Sequence, residues 1–182
     1  MYRYLFRTTE KKKQSIADNI IDFMNSTCSL SQDAAGFISN WILTGSDEKT
    51  KAYFDIWNKI LDIYLPAERP ILFRSCHKVT CNSIQSFSGS MSAVEKFSKG
   101  HKGHILVCDT KEYMRYLDFE KAPIYKRNFF PIYTLIRKDL ASLTPHFSQT
   151  FYGDYKGEDK YIVRVDLKYL YDLKWSKKKS EG

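Results

Sequence analysis

Apolar side chains recur every three or four residues through the first third of the chain. Ile16, Ile20, Ile21 and Phe23 or Met24 do so between Gln14 and Asn25, and Ala34, Phe37, Ile38, Trp41 and Ile42 do so next. Tyr53, Ile56, Trp57, Ile60, Leu61 and Tyr64 form a third set. Helix pitch puts residues three and four apart on one side, so the spacing predicts three amphipathic helices, each with one face buried as core. The second opens at Ser29, where S-L-S-Q makes a capping box with Gln32, and stops at Gly45. Asp47 and Glu48, acids suited to a helix start, open the third.

At Pro66 the period changes. "PAERP" breaks the third helix, and "ILFRSC" (71–76) follows as a short β-rich run. "SIQSFS" (83–88) is expected as a strand, "SAVEKFSK" (92–99) as a short helix and "HILVCDT" (104–110) as a buried strand. A mixed stretch runs to about Phe147, and "DKYIVRVDLKYL" (159–170) alternates in its first half as another strand. Helices first and strands afterwards predict an α+β fold in one domain: a helical part over 1–66, a β-rich core over 67–170 and a basic tail over 171–182.

Composition supports one core and narrows the chemistry less. The chain has 182 residues, 43% hydrophobic and 15% aromatic, enough for one sizeable core. Its net charge of +8 makes phosphates, an acidic protein face or an anionic membrane attractive without choosing among them. No apolar run approaches the roughly 18 residues that span a bilayer, and the opening "MYRYLFRTTEKKK" lacks the apolar core and cleavage site of a secretory signal. The expectation is a soluble, cytoplasmic protein with no membrane partner. Four spread cysteines, Cys28, Cys76, Cys81 and Cys108, are expected as reduced, mostly buried thiols. Cys76, His77 and Cys81 form a C-H-x3-C cluster lacking a fourth ligand at usual spacing, so no metal is expected.

Three stretches hold candidate chemistry. In "ILFRSC", Ile71 and Phe73 point one way while Leu72 and Arg74 point the other. A guanidinium on an otherwise apolar strand needs an acceptor, a phosphate or carboxylate bound by its planar fork, or else a salt bridge or the solvent edge. In "SIQSFSGSMSAVEKFS", a strand, a turn and a serine N-cap account for Ser90 or Ser92 but not for the whole run of hydroxyls. Gly89 would let backbone approach a ligand, and neighbouring hydroxyls orient a polar group without adding charge. In "YGDYKGEDKYIVRVD", Glu158 and Asp159 sit where a glycine-containing loop enters the last strand, as solvated turn residues or as carboxylates projecting into a cleft.

An arginine strand, a serine-rich strand end with a helix after it, and an acid opening a late strand, in that order, resemble the arginine–serine–glutamate group of mono-ADP-ribosyltransferases. The resemblance is nearest to the small enzymes of T4-like phages, the Mod and Alt type. It rests on "PILFRS", "SFSGSMSAVEKFS", "HILVCDT" and "GEDKYIVRVD", covering roughly Pro70 to Leu167. It implies an ADP-ribosyltransferase-like fold, with N-terminal helices followed by a split, mostly antiparallel β core around an NAD cleft. It also implies NAD as substrate, no metal, and transfer of ADP-ribose to a macromolecule with release of nicotinamide. The implied acceptor is a host protein of transcription or translation.

By position, the resemblance gives Arg74, beside Ser75, the NAD phosphate and the nicotinamide-side ribose. Ser88 becomes the serine that supports the nicotinamide pocket, with Ser86 and Ser90 as alternatives because "SFSGS" is one residue shorter than the usual pattern. Phe87 or Phe97 would stack near the nicotinamide or pack in the core. Glu158 would bond the ribose 2′-hydroxyl and stabilise the charge that grows as nicotinamide leaves, with Asp159 as the alternative acid. The chain departs from arginine-modifying members, which carry two acids separated by one residue: Lys156 precedes Glu158 and Gly157 precedes Asp159 at that spacing. From another class, a basic nucleic-acid-binding protein would use the charge and the tyrosines, and a transferase fold without catalysis would serve as an interaction module.

Overall fold

The computed structural model describes residues 7–26, 28–45, 48–79, 83–97, 103–111, 129–139 and 159–173. Three helices come first. The first, α1 (Glu10–Asn25), starts ahead of its apolar stripe because Thr9 caps it, its hydroxyl oxygen accepting from the Lys12 N–H at 3.3 Å. The second, α2 (Gln32–Leu43), is capped by Ser31 rather than Ser29: the Ser31 Oγ accepts from the Ala34 N–H at 3.2 Å. A side chain from α1 decides this. Asn19 donates to Ser29 O at 3.3 Å and accepts from the Ser31 N–H at 2.8 Å, holding the chain extended through Ser31.

The third, α3 (Lys51–Ile63), likewise starts later than Asp47 and Glu48, after Thr50. Lys49 is tied back to α2, with Nζ donating to Thr44 O at 2.7 Å and lying 4.3 Å from the centre of the Trp41 ring. That tether holds Lys49 itself outside the helix.

The strands are β1 (Ile71–Cys76), β2 (Ser83–Ser88), β3 (His104–Asp109), β4 (Phe129–Phe130), β5 (Lys160–Val165) and β6 (Tyr171–Asp172). Among the described residues, short helices α4 (Met91–Phe97) and α5 (Ile132–Lys138) lie between them. The expected tail contributes the edge strand β6, with Tyr171 opposite Val107 and the Leu173 N–H bonded to Ile105 O at 2.8 Å. Every pairing is antiparallel, in the order β4-β5-β2-β1-β3-β6. With helices leading, this is an α+β fold.

Strand alternation divides the core in two. Ile84, Phe130 and Ile162 face the helices and join the stripes of α1, α2 and α3. Trp57 is wholly buried there, its ring 5.3 Å from Phe37, 5.6 Å from Trp41 and 5.6 Å from Phe130. Leu72, Phe87, Leu106, Cys108, Phe129, Tyr161 and Val163 face the other way and form the second core. Arg164 fixes α3 along β5, with Nη1 2.7 Å from Asp62 Oδ1 and 3.0 Å from Asn58 Oδ1. Among the described residues, no helix is long and apolar enough to cross a membrane.

The ladders are unequal. β1 runs six register pairs with β3, and β2 runs six with β5, but β1 and β2 share one, Phe73 with Ser88. The middle of the sheet is therefore its most weakly laced seam.

Candidate functional site

The site is built at that seam. Arg74 leaves β1 on the side of Leu72, and its Nη1 donates to the backbone oxygen of Ser86 on β2 at 2.7 Å. The guanidinium thus supplies a donor between the strands where their own ladder has ended. Its Nε is buried without a hydrogen-bond partner, and among the described residues no carboxylate pairs with it. Burial holds its pKa below the usual arginine range, with only a partial offset from the Cys76 thiol. Ser75 lies on the opposite face of the strand, across from Ile105.

The serine run divides by task. Ser88, nearly buried, sits between Phe73 on β1 and Lys160 on β5. Its Oγ accepts from the Ser90 N–H at 3.0 Å and donates to Ser90 O at 3.1 Å, which closes the turn. Ser90 is the cap for α4, its Oγ accepting from the Ala93 N–H at 3.3 Å and bonded to Ser92 Oγ at 2.9 Å. Ser86 contributes its carbonyl to Arg74. Phe87 is 2% exposed within the second core, so its ring is a packing residue. Phe97 ends α4, and its side chain lies outside the described residues.

The acidic loop end meets the serine turn. Asp159 O accepts from the Gly89 N–H at 2.9 Å, joining residues 70 apart. A Cβ on Gly89 would sit 3.3 Å from Tyr161 Cε2 and 3.4 Å from Asp159 Cβ, tighter than side chains usually pack, so the closeness depends on glycine. Asp159 holds a left-handed backbone, φ 38°, a conformation aspartate tolerates better than most residues. Its carboxylate is turned to Arg137 of α5, 3.2 Å from Nη2. Arg137 in turn lies over the Tyr133 ring at 5.1 Å. Tyr161 donates to the Tyr133 hydroxyl at 3.3 Å, and burial pushes its pKa up. Glu158, the other expected acid, lies outside the described residues, next in chain to Asp159.

Pattern reasoning did not find Lys49, Lys160 or Arg137. Lys49 is pushed down to about 8, first by burial and then by the charges of Lys160 and Arg74. Nothing in the sequence marks it: a lysine ahead of a helix reads as a solvated charge. The cysteines do not form a uniform buried set, because Cys28 is exposed, Cys76 half-buried and Cys108 buried. Burial pushes the Cys108 thiol up to about 12, so it stays protonated and unreactive at neutral pH. Cys81 of the C-H-x3-C cluster lies outside the described residues. No family model, curated protein or solved structure matches the chain.

Proposed function

We propose that this protein is an NAD-dependent mono-ADP-ribosyltransferase with an ADP-ribosyltransferase-like fold. One observation carries the reading: the arginine strand, the serine strand and the acid-led strand are neighbours in the order β1, β2, β5. The same seam holds a buried arginine without a carboxylate partner among the described residues, and Asp159 at the entrance of β5 is hydrogen-bonded to the serine turn. A desolvated guanidinium with spare donors suits an anionic group such as a phosphate. The lone register pair between β1 and β2 is consistent with a split β core.

In the proposed reaction the ribose C1′–N bond of NAD breaks. Its electron pair passes to the nicotinamide ring nitrogen, leaving an oxocarbenium-like ribose. A nucleophile on the acceptor gives C1′ an electron pair and loses its proton. Arg74 holds a phosphate, Ser88 and its turn shape the nicotinamide end, and Glu158 faces the growing positive charge and the ribose 2′-hydroxyl. Asp159 anchors the loop, because its carboxylate is engaged by Arg137 and its carbonyl by Gly89. The acceptor is macromolecular, and the resemblance implies a host protein. The nucleic-acid-binding alternative draws less support, since Phe37, Trp41, Tyr53 and Trp57 are packed in the core and unavailable for base stacking.

The test is incubation with labelled NAD and a host-cell lysate, comparing wild type with Arg74→Ala, Glu158→Gln and Asp159→Asn. Label on a macromolecule that is lost in the first two variants supports the reading. Folded wild-type protein that neither transfers label nor releases nicotinamide overturns it. Loss of transfer in Asp159→Asn, with Glu158→Gln active, would move the catalytic role to Asp159.

A further inference from the structure

Cys76 and His77 are adjacent in the C-H-x3-C stretch, but the fold separates them and gives the thiol another histidine. His77 is exposed, while Cys76 packs against the second core at the end of β1, directly opposite His104 at the start of β3. Residues opposite each other in an antiparallel pair share a face, with Cβ atoms about 5 Å apart. Gly103 fixes this end of the ladder. Its φ is 109°, and a Cβ there would sit 2.6 Å from Cys76 O, so only glycine lets the backbone before His104 lie against Cys76. On its other side His104 meets Asp172 of β6, with Nδ1 2.6 Å from Oδ2. Asp172 pairs with Leu106, two residues on from His104 and on the same face. Thiol, imidazole and carboxylate thus lie across three neighbouring strands, β1, β3 and β6.

A carboxylate only accepts hydrogen bonds, so Nδ1 of the neutral ring carries the proton and Nε2 keeps its lone pair, on the side turned away from Asp172. Asp172 Oδ1 is buried without a hydrogen-bond partner among the described residues, so little solvent competes for the charge that holds the ring. The backbone of β6 is tied to β3 without the pair: Asp172 and Tyr171 ladder with Leu106 and Val107, and the Leu173 N–H bonds to Ile105 O at 2.8 Å. Burial holds the half-buried Cys76 thiol above its ordinary pKa, Arg74 offsets part of this, and Asp172 adds to it. A thiol of that kind becomes a nucleophile only when a neighbour takes its proton. We propose that Cys76 is a site of thiol–disulfide exchange with a small disulfide, with His104 as its base and Asp172 as the residue that positions the base. The Sγ proton passes to Nε2, the sulfur lone pair bonds to one sulfur of the disulfide, and the S–S bond of that disulfide breaks. The departing thiolate takes the proton from the ring. Cys76 is thereby oxidised to a mixed disulfide, one half of the small disulfide is reduced to a thiol, and the imidazole is restored. Exchange develops no oxyanion, which suits a site that offers a thiol and a base. None of the three residues belongs to the proposed NAD set, so the exchange does not depend on the transferase reading.

The experiment is incubation of the folded full chain with glutathione disulfide at neutral pH, in wild type, His104→Gln and Asp172→Asn, with the mixed disulfide at each cysteine followed by peptide mass mapping. The exposed Cys28 is the internal control. Relative to Cys28, modification of Cys76 is expected to slow about ten- to a hundredfold in His104→Gln and about tenfold in Asp172→Asn. A purely structural pair that staples β6 to β3 gives the opposite sign, because losing it frees the strand end and exposes the thiol. A Cys76 rate that is unchanged or raised in His104→Gln therefore overturns the proposal and leaves the pair as a staple, whatever the melting temperature does. Wild-type protein that reacts at Cys28 and not at Cys76 overturns it as well.

Discussion

Two inward-turned cations separate the helical layer from the seam. Lys13 on α1 is 8% exposed and sits 2.7 Å from Asp55 of α3, with Glu10 one turn back as its second partner. Asp55 and Glu10 hold its pKa above the usual lysine value. Arg74 is also drawn out of water, but burial dominates and its pKa falls, with one hydrogen bond to a carbonyl and an orphaned Nε. The first arrangement is complete within the protein and ties α1 to α3. Among the described residues the second has no anion beside it, which is the condition that the proposed phosphate-binding role requires.

The largest test of that contrast is catalytic. Glu158→Gln and Arg74→Ala are each expected to lower label transfer from NAD about a hundred- to a thousandfold. Gly89→Ala comes next. Its new Cβ presses on Tyr161 and Asp159, so turnover is expected to fall about tenfold by displacement of the acidic loop, while the melting temperature moves little. Thermal denaturation then separates the two cations directly. Lys13→Met strands the half-buried Asp55 carboxylate and is expected to lower the melting temperature, whereas Arg74→Met removes a buried charge with no carboxylate partner among the described residues and is expected to leave it equal or higher without ligand. A drop in Arg74→Met as large as that in Lys13→Met would mean the arginine is structural.

The smallest effect is a pH dependence. Lys49 has a folded-state pKa of about 8, below the ordinary value of 10.5. Between those values the unfolded chain binds the proton and the folded chain does not, so the Lys49 contribution to stability rises with pH across that window. Below about 8 both states are protonated and the full cost of the buried charge remains. Lys49→Met is expected to abolish that trend. Stability by denaturant titration at several pH values measures it.

Much of the scaffold was legible from side-chain periodicity. The stripes of α1, α2 and α3 are buried as the spacing requires, and β1, β2, β3 and β5 fall where the apolar runs lie. The helix starts were less legible, because a cap is chosen by what reaches it. Ser29 and Ser31 are equally able to cap, and Asn19 on another helix selects Ser31. Arg74, Ser88 and Asp159 could be picked out because an arginine in an apolar strand, a serine cluster and acids at a strand entrance each break a local pattern. Arg137 and Lys160 break none, and their part is visible only in their partners, Asp159 and Ser88.

By itself the sequence determined the order of the elements, the buried face of each long helix, and the presence of a cation where an apolar strand offers it nothing. Those are local matters, set by residue spacing and side-chain chemistry. Only the tertiary structure decided that strands far apart in the chain lie side by side, that the Gly89 backbone holds the acidic loop end, and that Lys49 is tied back to Thr44 and Trp41. Strand order and charge proximity arise from long-range packing, which no window of sequence contains.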